Sequence, residues 1–206
     1  MKNIALFVGF LDNEFSMDVM EGARIAAREL DVNLFIMPAR LVINNYSEEE
    51  LNIYTYQYNT MFSYIEKGNF DGVIMETGVI CNGMTDEAVK EMFDSFGVPV
   101  VSIARKVEGY PNIRFNSNGL REEIEHLIEH HGCTKIGFIG GPKNNKEAIE
   151  RFELYKQTLQ DNGLHFDEKL CGYGNFSEFC EDEVLKVLEQ NKGNIDALCF
   201  ANDRMV

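Results

Sequence analysis

The sequence is short of basic residues and of long apolar runs, and each shortage excludes a class of function. It contains 19 Lys and Arg against 34 Asp and Glu, for a net charge of −15. Nucleic-acid backbones are bound mainly by Lys and Arg, so this stretch of chain is not expected to bind nucleic acid by itself. No run approaches the roughly 18 apolar residues of a membrane span, and no cleavage site follows the short apolar N-terminus. We therefore expect a cytoplasmic protein without membrane contact.

Cysteine pairs and cofactor motifs are also missing. The five cysteines are widely spaced and no two are separated by two residues, so we expect reduced, mostly buried thiols. Neither a phosphate-binding Gly-x-x-x-x-Gly-Lys loop nor a Gly-x-Gly-x-x-Gly turn follows the first strand. His126 and His130 have a spacing that zinc could use, but no third ligand is identifiable, and a solvated helix face is favoured. No cofactor and no metal site is predicted.

Strand and helix patterns alternate along the whole chain. This alternation predicts an α/β protein with parallel sheets and helices on both faces. The predicted strands cover residues 4–9, 32–37, 72–75, 98–103, 113–115, 135–139, 170–173 and 195–200. The predicted helices cover residues 15–30, a segment ending near 67–68, and residues 85–96, 118–131, 146–162 and 178–190.

Ligands of such sheets lie outside the carboxyl ends of the strands, so the residues after each strand are the candidates for a site. These positions are rich in polar groups, glycine and aromatic rings, which fits a polar small molecule. They are residues 10–15 (with Asp12), 38–40, 76–77 (with Glu76), 104–105 (with Arg105), 140–144, 174–176 and 201–203. Asp12 and Glu14 could also serve an enzyme as a carboxylate pair, although capping of the following helix explains them equally well.

Five blocks in the second half resemble the lactose-repressor (LacI/GalR) family. They are Gly119-Leu120-Arg121-Glu122-Glu123-Ile124-Glu125-His126-Leu127-Ile128-Glu129 with the Lys135–Pro142 strand and turn, Glu150–Tyr155, Gly174–Ser177, and Phe200–Met205. The first half is similar mainly in its strand–helix rhythm and in Phe15 and Gly22. The resemblance implies a periplasmic-binding-protein-like type I fold with two Rossmann-like lobes, residues 1–104 and 105–206, the second truncated at the C-terminus.

The resemblance also implies a function. Such a domain senses a small sugar-like or nucleoside-like effector for a transcriptional regulator or signalling protein, closes its lobes on the ligand, and forms a homodimer. It is not an enzyme, and any DNA-binding or catalytic module lies outside this segment. Two alternatives stay open: a sensor ahead of a diguanylate cyclase, which the stretch 54–59 resembles, and a small doubly wound enzyme using Asp12 or Asp203.

Ligand-binding roles follow from the resemblance position by position. Arg121 matches an effector-binding arginine and Asp203 an acid that takes sugar hydroxyls, while Tyr155 and Phe15 match aromatic residues of the site. Asn175 matches a polar group after a strand of the second lobe. An ion pair between Arg121 and Glu125, four residues apart on one helix, is the competing interpretation. The family's usual residues are replaced by Phe115-Asn116 and Ala104-Arg105, which puts an ordinary sugar in doubt.

Overall fold

The computed structural model describes residues 1–39, 57, 60–66, 68–114, 116, 118–176 and 180–206. The stretch 54–59, apart from Gln57, lies outside the described residues, as do Arg40, Phe115 and Ser177. The chain divides into two compact units, Met1–Phe115 and Asn116–Val206. Each unit is an α/β layer structure with its own parallel sheet and core, so the predicted fold class is confirmed at this level.

The first unit holds, among its described residues, five parallel strands in the order β2-β1-β3-β4-β5. They are β1 (Asn3–Val8), β2 (Asn33–Pro38), β3 (Gly72–Met75), β4 (Val100–Ile103) and β5 (Asn112–Ile113). The helices are α1 (Glu14–Glu29), α2 (Ser63–Glu66), α3 (Thr77–Ile80) and α4 (Asp86–Ser95), with a 3₁₀ turn at Thr60–Phe62.

Buried strands and capped helices explain this order. The last four residues of β1 are fully buried, as expected for a central parallel strand covered on both faces. The side chain of Asn13 accepts a hydrogen bond from the Ser16 amide, and Thr85 does the same for Ala88, so α1 and α4 begin at capped positions. The short α3 directly after β3 is absent from the sequence-based prediction, because four residues carry too little periodicity to reveal a helix.

The first unit extends past the predicted lobe boundary at residue 104. β5 pairs with β4, with Ser102 opposite Asn112, and this pairing keeps the following residues on the first sheet. The compact units therefore meet at Phe115 and Asn116. The assignment of two ligand-binding lobes, 1–104 and 105–206, stays a prediction.

The second unit contains, in its described part, three parallel strands in the order β7-β6-β8. The strands are β6 (Ile136–Gly140), β7 (Cys171–Tyr173) and β8 (Ala197–Phe200). The helices are α5 (Asn118–His131), α6 (Lys146–Asp161) and α7 (Glu181–Gln190), with 3₁₀ turns at Glu168–Leu170 and Asp203–Met205. All five residues of β6 are buried, so this strand is the centre of the unit. Within the described residues, no helix is long and apolar enough to cross a membrane.

Candidate functional site

Glu76 lies at the carboxyl end of β3 and fixes the loop between β1 and α1. Its Oε2 accepts hydrogen bonds from the Gly9 amide (2.9 Å) and the Ser16 hydroxyl (2.8 Å), and its side chain is fully buried. Gly9 must lack a side chain here, because a Cβ would lie 2.5 Å from Cγ1 of Val79 on α3. The carboxyl group therefore ties the start of the first loop to the neighbouring strand.

The electrostatics of Glu76 follow from this burial. Desolvation raises the pKa of the Glu76 carboxyl, and the hydrogen bonds from Gly9 and Ser16 oppose the rise. Its other oxygen, Oε1, is buried and has no hydrogen-bond partner among the described residues. The sequence predicts Glu76 as a ligand-binding residue, whereas in this structure its bonds all go to the protein's own loop.

Arg105, directly after β4, holds the segment between α3 and α4. Its Nη1 donates to the Cys81 carbonyl (2.7 Å), and Nη2 donates to the Met84 carbonyl (2.8 Å) and to Oδ1 of Asp86 (2.8 Å). The side chain is only 7% exposed. The preceding Ala104 has a left-handed φ of 67°, which turns the chain sharply at the strand end. Arg105 is thus placed at the predicted edge but directed into the protein.

Asp12 and Phe15 lie on the loop that Glu76 anchors. Asp12 is exposed in the bend before α1, and Phe15 is half-buried in the first turn of α1, next to Ser16. The structure therefore brings the positions of Asp12, Phe15 and Glu76 to the carboxyl ends of β1 and β3. Of these three, Asp12 and Phe15 have accessible side-chain surface.

In the second unit, an arginine that the sequence analysis assigned no role meets the strand ends. Arg151 on α6 donates through Nη1 to the carbonyl of Ala201, the residue directly after β8. Its guanidinium lies 5.8 Å from the ring centre of Phe176 and 4.0 Å from Oε2 of Glu147. The Arg151 side chain is a quarter exposed. It therefore offers part of its charge at the carboxyl edge of the sheet.

Phe176 joins the loops that follow the three strands. It has a left-handed φ of 65°, which is uncommon for a bulky residue, and its ring occupies the space that a side chain at Gly141 would need. Its carbonyl accepts a hydrogen bond from Nδ2 of Asn202 (3.2 Å). Oδ1 of Asn202 is buried without a hydrogen-bond partner among the described residues. The loops after β6, β7 and β8 thus converge around Phe176 and Arg151.

Two residues predicted for the site lie in these same loops. Asn175 precedes Phe176 and Asp203 follows Asn202, and both are exposed. Lys143 in the loop after β6 lies 4.1 Å from the ring centre of Tyr173 at the end of β7. This carboxyl edge therefore combines positive, negative, amide and aromatic groups, as recognition of a polar ring compound requires.

Tyr155 is directed into the core and away from this edge. Its side chain is fully buried and stacks on Phe138 with ring centres 4.8 Å apart, and its hydroxyl donates to the Ile136 carbonyl (2.8 Å). Ile136 is the first residue of β6, at the amino end of the strand. Burial raises the pKa of the Tyr155 hydroxyl far above its ordinary value. In this structure Tyr155 offers no surface to a ligand.

Arg121 forms the ion pair that the sequence suggested as the competing interpretation. Its Nη1 lies 3.5 Å from Glu125 and 2.8 Å from Asp161, the last residue of α6. These bonds raise the pKa of Arg121, with the Asp161 contact first. Asp161 is about 15 Å further along α6 than Arg151, at the rise of an α-helix. The structure therefore does not group Arg121 with the carboxyl-edge residues.

A positional signal could have revealed Arg151. It lies in the second turn of a helix that begins soon after the carboxyl end of the central strand β6, with Asn145 capping that helix. A long cation in the first two turns of such a helix can reach back to the strand ends. The sequence analysis used Arg151 only as part of a matching block.

No protein-family model matches the sequence. Among curated proteins, the chain is 27% identical over 155 residues to the HTH-type transcriptional regulator CelR of Thermobifida fusca, covering 72% of this chain and 44% of the relative. The chain thus spans less than half the length of the curated relatives it matches.

Solved structures have the same fold. The CelR–cellobiose complex superimposes with a TM-score of 0.77 at 22% identity, covering 100% of this chain and 60% of that one. A periplasmic solute-binding protein from Actinobacillus succinogenes with bound D-allose gives a TM-score of 0.75 at 17% identity, covering 100% and 71%. Sequence and fold together identify the chain as a homologue of the LacI-family transcriptional regulators with a periplasmic-binding-protein-like type I fold.

Proposed function

We propose that this chain is the effector-binding region of a bacterial regulator and that its ligand is a small sugar-like or nucleoside-like molecule. The observation that carries the proposal is the convergence of Arg151, Phe176 and Asn202 at the carboxyl edge of the second sheet. A guanidinium presents several donors in one plane, Asp203 and Asp12 can accept from hydroxyl groups, and an aromatic face covers the apolar side of a ring.

The relatives supply the chemical class to test first. CelR is described in complex with cellobiose, and the solute-binding protein contains D-allose. Sugars are therefore the first candidate effectors for this chain, with nucleosides as the second class. We further propose a cytoplasmic location, a homodimer, and lobe closure on ligand binding as the signal. A ligand can drive such closure only by binding the closed state more tightly than the open one.

A purely binding role is favoured over turnover, because the curated relatives described above are transcriptional regulators. Neither a cyclase output nor an enzyme using Asp12 or Asp203 is favoured by any observation on the described residues. DNA binding would depend on a module outside this segment.

The test is thermal unfolding of the chain in the presence of a panel that contains cellobiose, D-allose, D-ribose and the common nucleosides. A ligand at a hundredfold excess over its dissociation constant should stabilise the folded protein by about 2.7 kcal/mol. A confirmed ligand would then be titrated by calorimetry. Absence of any saturable stabilisation across the panel would contradict the proposal.

Two arginine substitutions on neighbouring helices make a matched comparison. Arg151→Gln removes a cation at the carboxyl edge, and we expect it to weaken binding of that ligand at least tenfold, about 1.4 kcal/mol. Arg121→Gln removes a cation whose partners Glu125 and Asp161 lie elsewhere, and binding should be retained. Equal losses in the two variants would place the ligand outside the carboxyl edge that we describe.

A further inference from the structure

Three of the chain's four histidines lie together at the carboxyl-terminal end of α5. His126, His130 and His131 are all exposed, and α5 ends at His131, where Gly132 follows with a φ of 68°. The ring centres of His126 and His130 are 4.8 Å apart, and those of His126 and His131 are 5.0 Å apart. The ligand-binding function proposed above does not use this cluster.

Within the cluster, one pair of ring nitrogens approaches closely. Nε2 of His126 and Nε2 of His131 are 3.1 Å apart. Two imidazoles bound to one metal ion at about 2.0–2.1 Å place their nitrogens about 2.9 Å apart at a right angle and about 3.4 Å apart at the tetrahedral angle. The observed separation falls between these two values. The pair therefore has the spacing of two neighbouring ligands of one ion.

The surroundings of the pair also favour a cation. The unpaired carbonyl groups at a helix carboxyl terminus give this end a partial negative charge, which attracts cations. The whole chain has a net charge of −15. Both rings are exposed, so an ion can reach them without desolvating the core.

We propose that His126 and His131 form a two-histidine chelate for a divalent transition-metal ion, of the class Zn²⁺, Ni²⁺ or Cu²⁺. Imidazole nitrogen is a preferred ligand of these ions. No group of three or more His, Cys, Asp or Glu in the described part of the chain is arranged to hold a metal. Water therefore completes the coordination, and the ion remains accessible to exchange.

The competing explanation is a hydrogen bond between two neutral rings, one nitrogen donating and the other accepting, which also gives a separation of this size. Binding experiments separate the two. Zn²⁺ would be titrated into the chain at pH 7.5 in competition with a chromophoric indicator, and the expected result is one equivalent bound per chain. No competition with the indicator would overturn the chelate.

Single substitutions identify the ligands. His126→Asn and His131→Asn should each weaken Zn²⁺ binding by at least the 10–100-fold that loss of a supporting outer-shell group costs. His165→Asn, which removes the one histidine outside the cluster, should leave the affinity unchanged, and so should His130→Asn. Equal affinities in the wild type and in both His126→Asn and His131→Asn would overturn the assignment, as would a comparable loss in His130→Asn.

A spectroscopic measurement gives an independent readout that folding effects do not imitate. With one equivalent of Cu²⁺, the electron paramagnetic resonance spectrum should contain nitrogen couplings from two imidazoles in the wild type and from one in His131→Asn. Circular dichroism of each variant checks that α5 is retained. A wild-type spectrum without imidazole nitrogen coupling would contradict the proposal.

Discussion

The two sheets use the polar side chains at their carboxyl edges in opposite ways. In the first unit, Glu76 is fully buried and Arg105 is 7% exposed, and both bind segments of the protein itself. In the second unit, Arg151 is a quarter exposed, and Asn175 and Asp203 are exposed. Both edges carry charge in the places where parallel sheets bind ligands, yet only part of that charge is accessible.

This difference separates two tasks that look alike in a sequence. A charged residue after a strand can bind a ligand, or it can satisfy the backbone groups of the turn, since buried carbonyls and amides need partners. In the first unit, Glu76 and Arg105 perform the second task, and the loops they fix carry Asp12 and Phe15. In the second unit, glycine and asparagine shape the loops, and the arginine remains partly free of the core.

The largest expected effect comes from removing the buried guanidinium of the first unit. Arg105→Ala leaves the carbonyls of Cys81 and Met84 without their donors, and we expect a loss of about 2–4 kcal/mol in the free energy of unfolding. Urea denaturation of the chain measures it. The comparison between the edges would fail if the loss were small, because Arg105 would then be available to a ligand.

Asp86→Asn is the control for that experiment. Its side chain is 58% exposed, so the ion pair to Arg105 contributes little in water, and the expected cost is below about 1 kcal/mol. A cost as large as that of Arg105→Ala would mean that the ion pair, and not the two carbonyl bonds, stabilises this segment.

Much of the fold could be predicted from the sequence, because periodicity reports which side of an element is buried. The strands β1, β3, β4 and β6 were predicted within two residues of their observed ends. The boundary between the units could not be predicted, since β5 has only two residues and its pairing with β4 is a long-range property. The short α3 was missed for a similar reason.

The candidate site was less predictable because spacing does not fix direction. Arg151 and Tyr155 are four residues apart on the same face of α6. One reaches Ala201 beyond the carboxyl end of β8, and the other reaches Ile136 at the amino end of β6. A difference of one helical turn thus separates an edge residue from a core residue.

A middle-sized effect should follow the ionisation of Glu76. Burial raises its pKa in the folded protein, so the folded state holds this proton more tightly than the unfolded chain. The resulting stability is present below the ordinary value of 4.5 and is lost as the pH rises through the raised pKa. Glu76→Gln keeps a carbonyl acceptor for Gly9 and Ser16 but cannot ionise. The stability of the wild type relative to Glu76→Gln should therefore fall as the pH rises above 4.5, as measured by denaturation at several pH values.

Ser16→Ala sharpens that experiment. Loss of the Ser16 hydroxyl removes a hydrogen bond that lowers the Glu76 pKa, so the pH window should move upward, with a stability cost of about 1–3 kcal/mol at neutral pH. A pH dependence identical in the wild type, Glu76→Gln and Ser16→Ala would mean that Glu76 is not the anchor of the first loop.

The smallest expected effect belongs to the exposed ion pair of the second unit, and it tests the other half of the comparison. Arg121 joins the first turn of α5 to Asp161 at the end of α6, and both side chains have substantial contact with water. Such pairs contribute little, so Arg121→Ala and Asp161→Ala should each change the midpoint of thermal unfolding by less than about 2 °C. Binding of any effector found by the panel should also be unchanged in both. If Arg121→Ala abolished effector binding while Asp161→Ala did not, the guanidinium would be acting on the ligand directly. The carboxyl edge around Arg151 would then be incomplete as a description of the site.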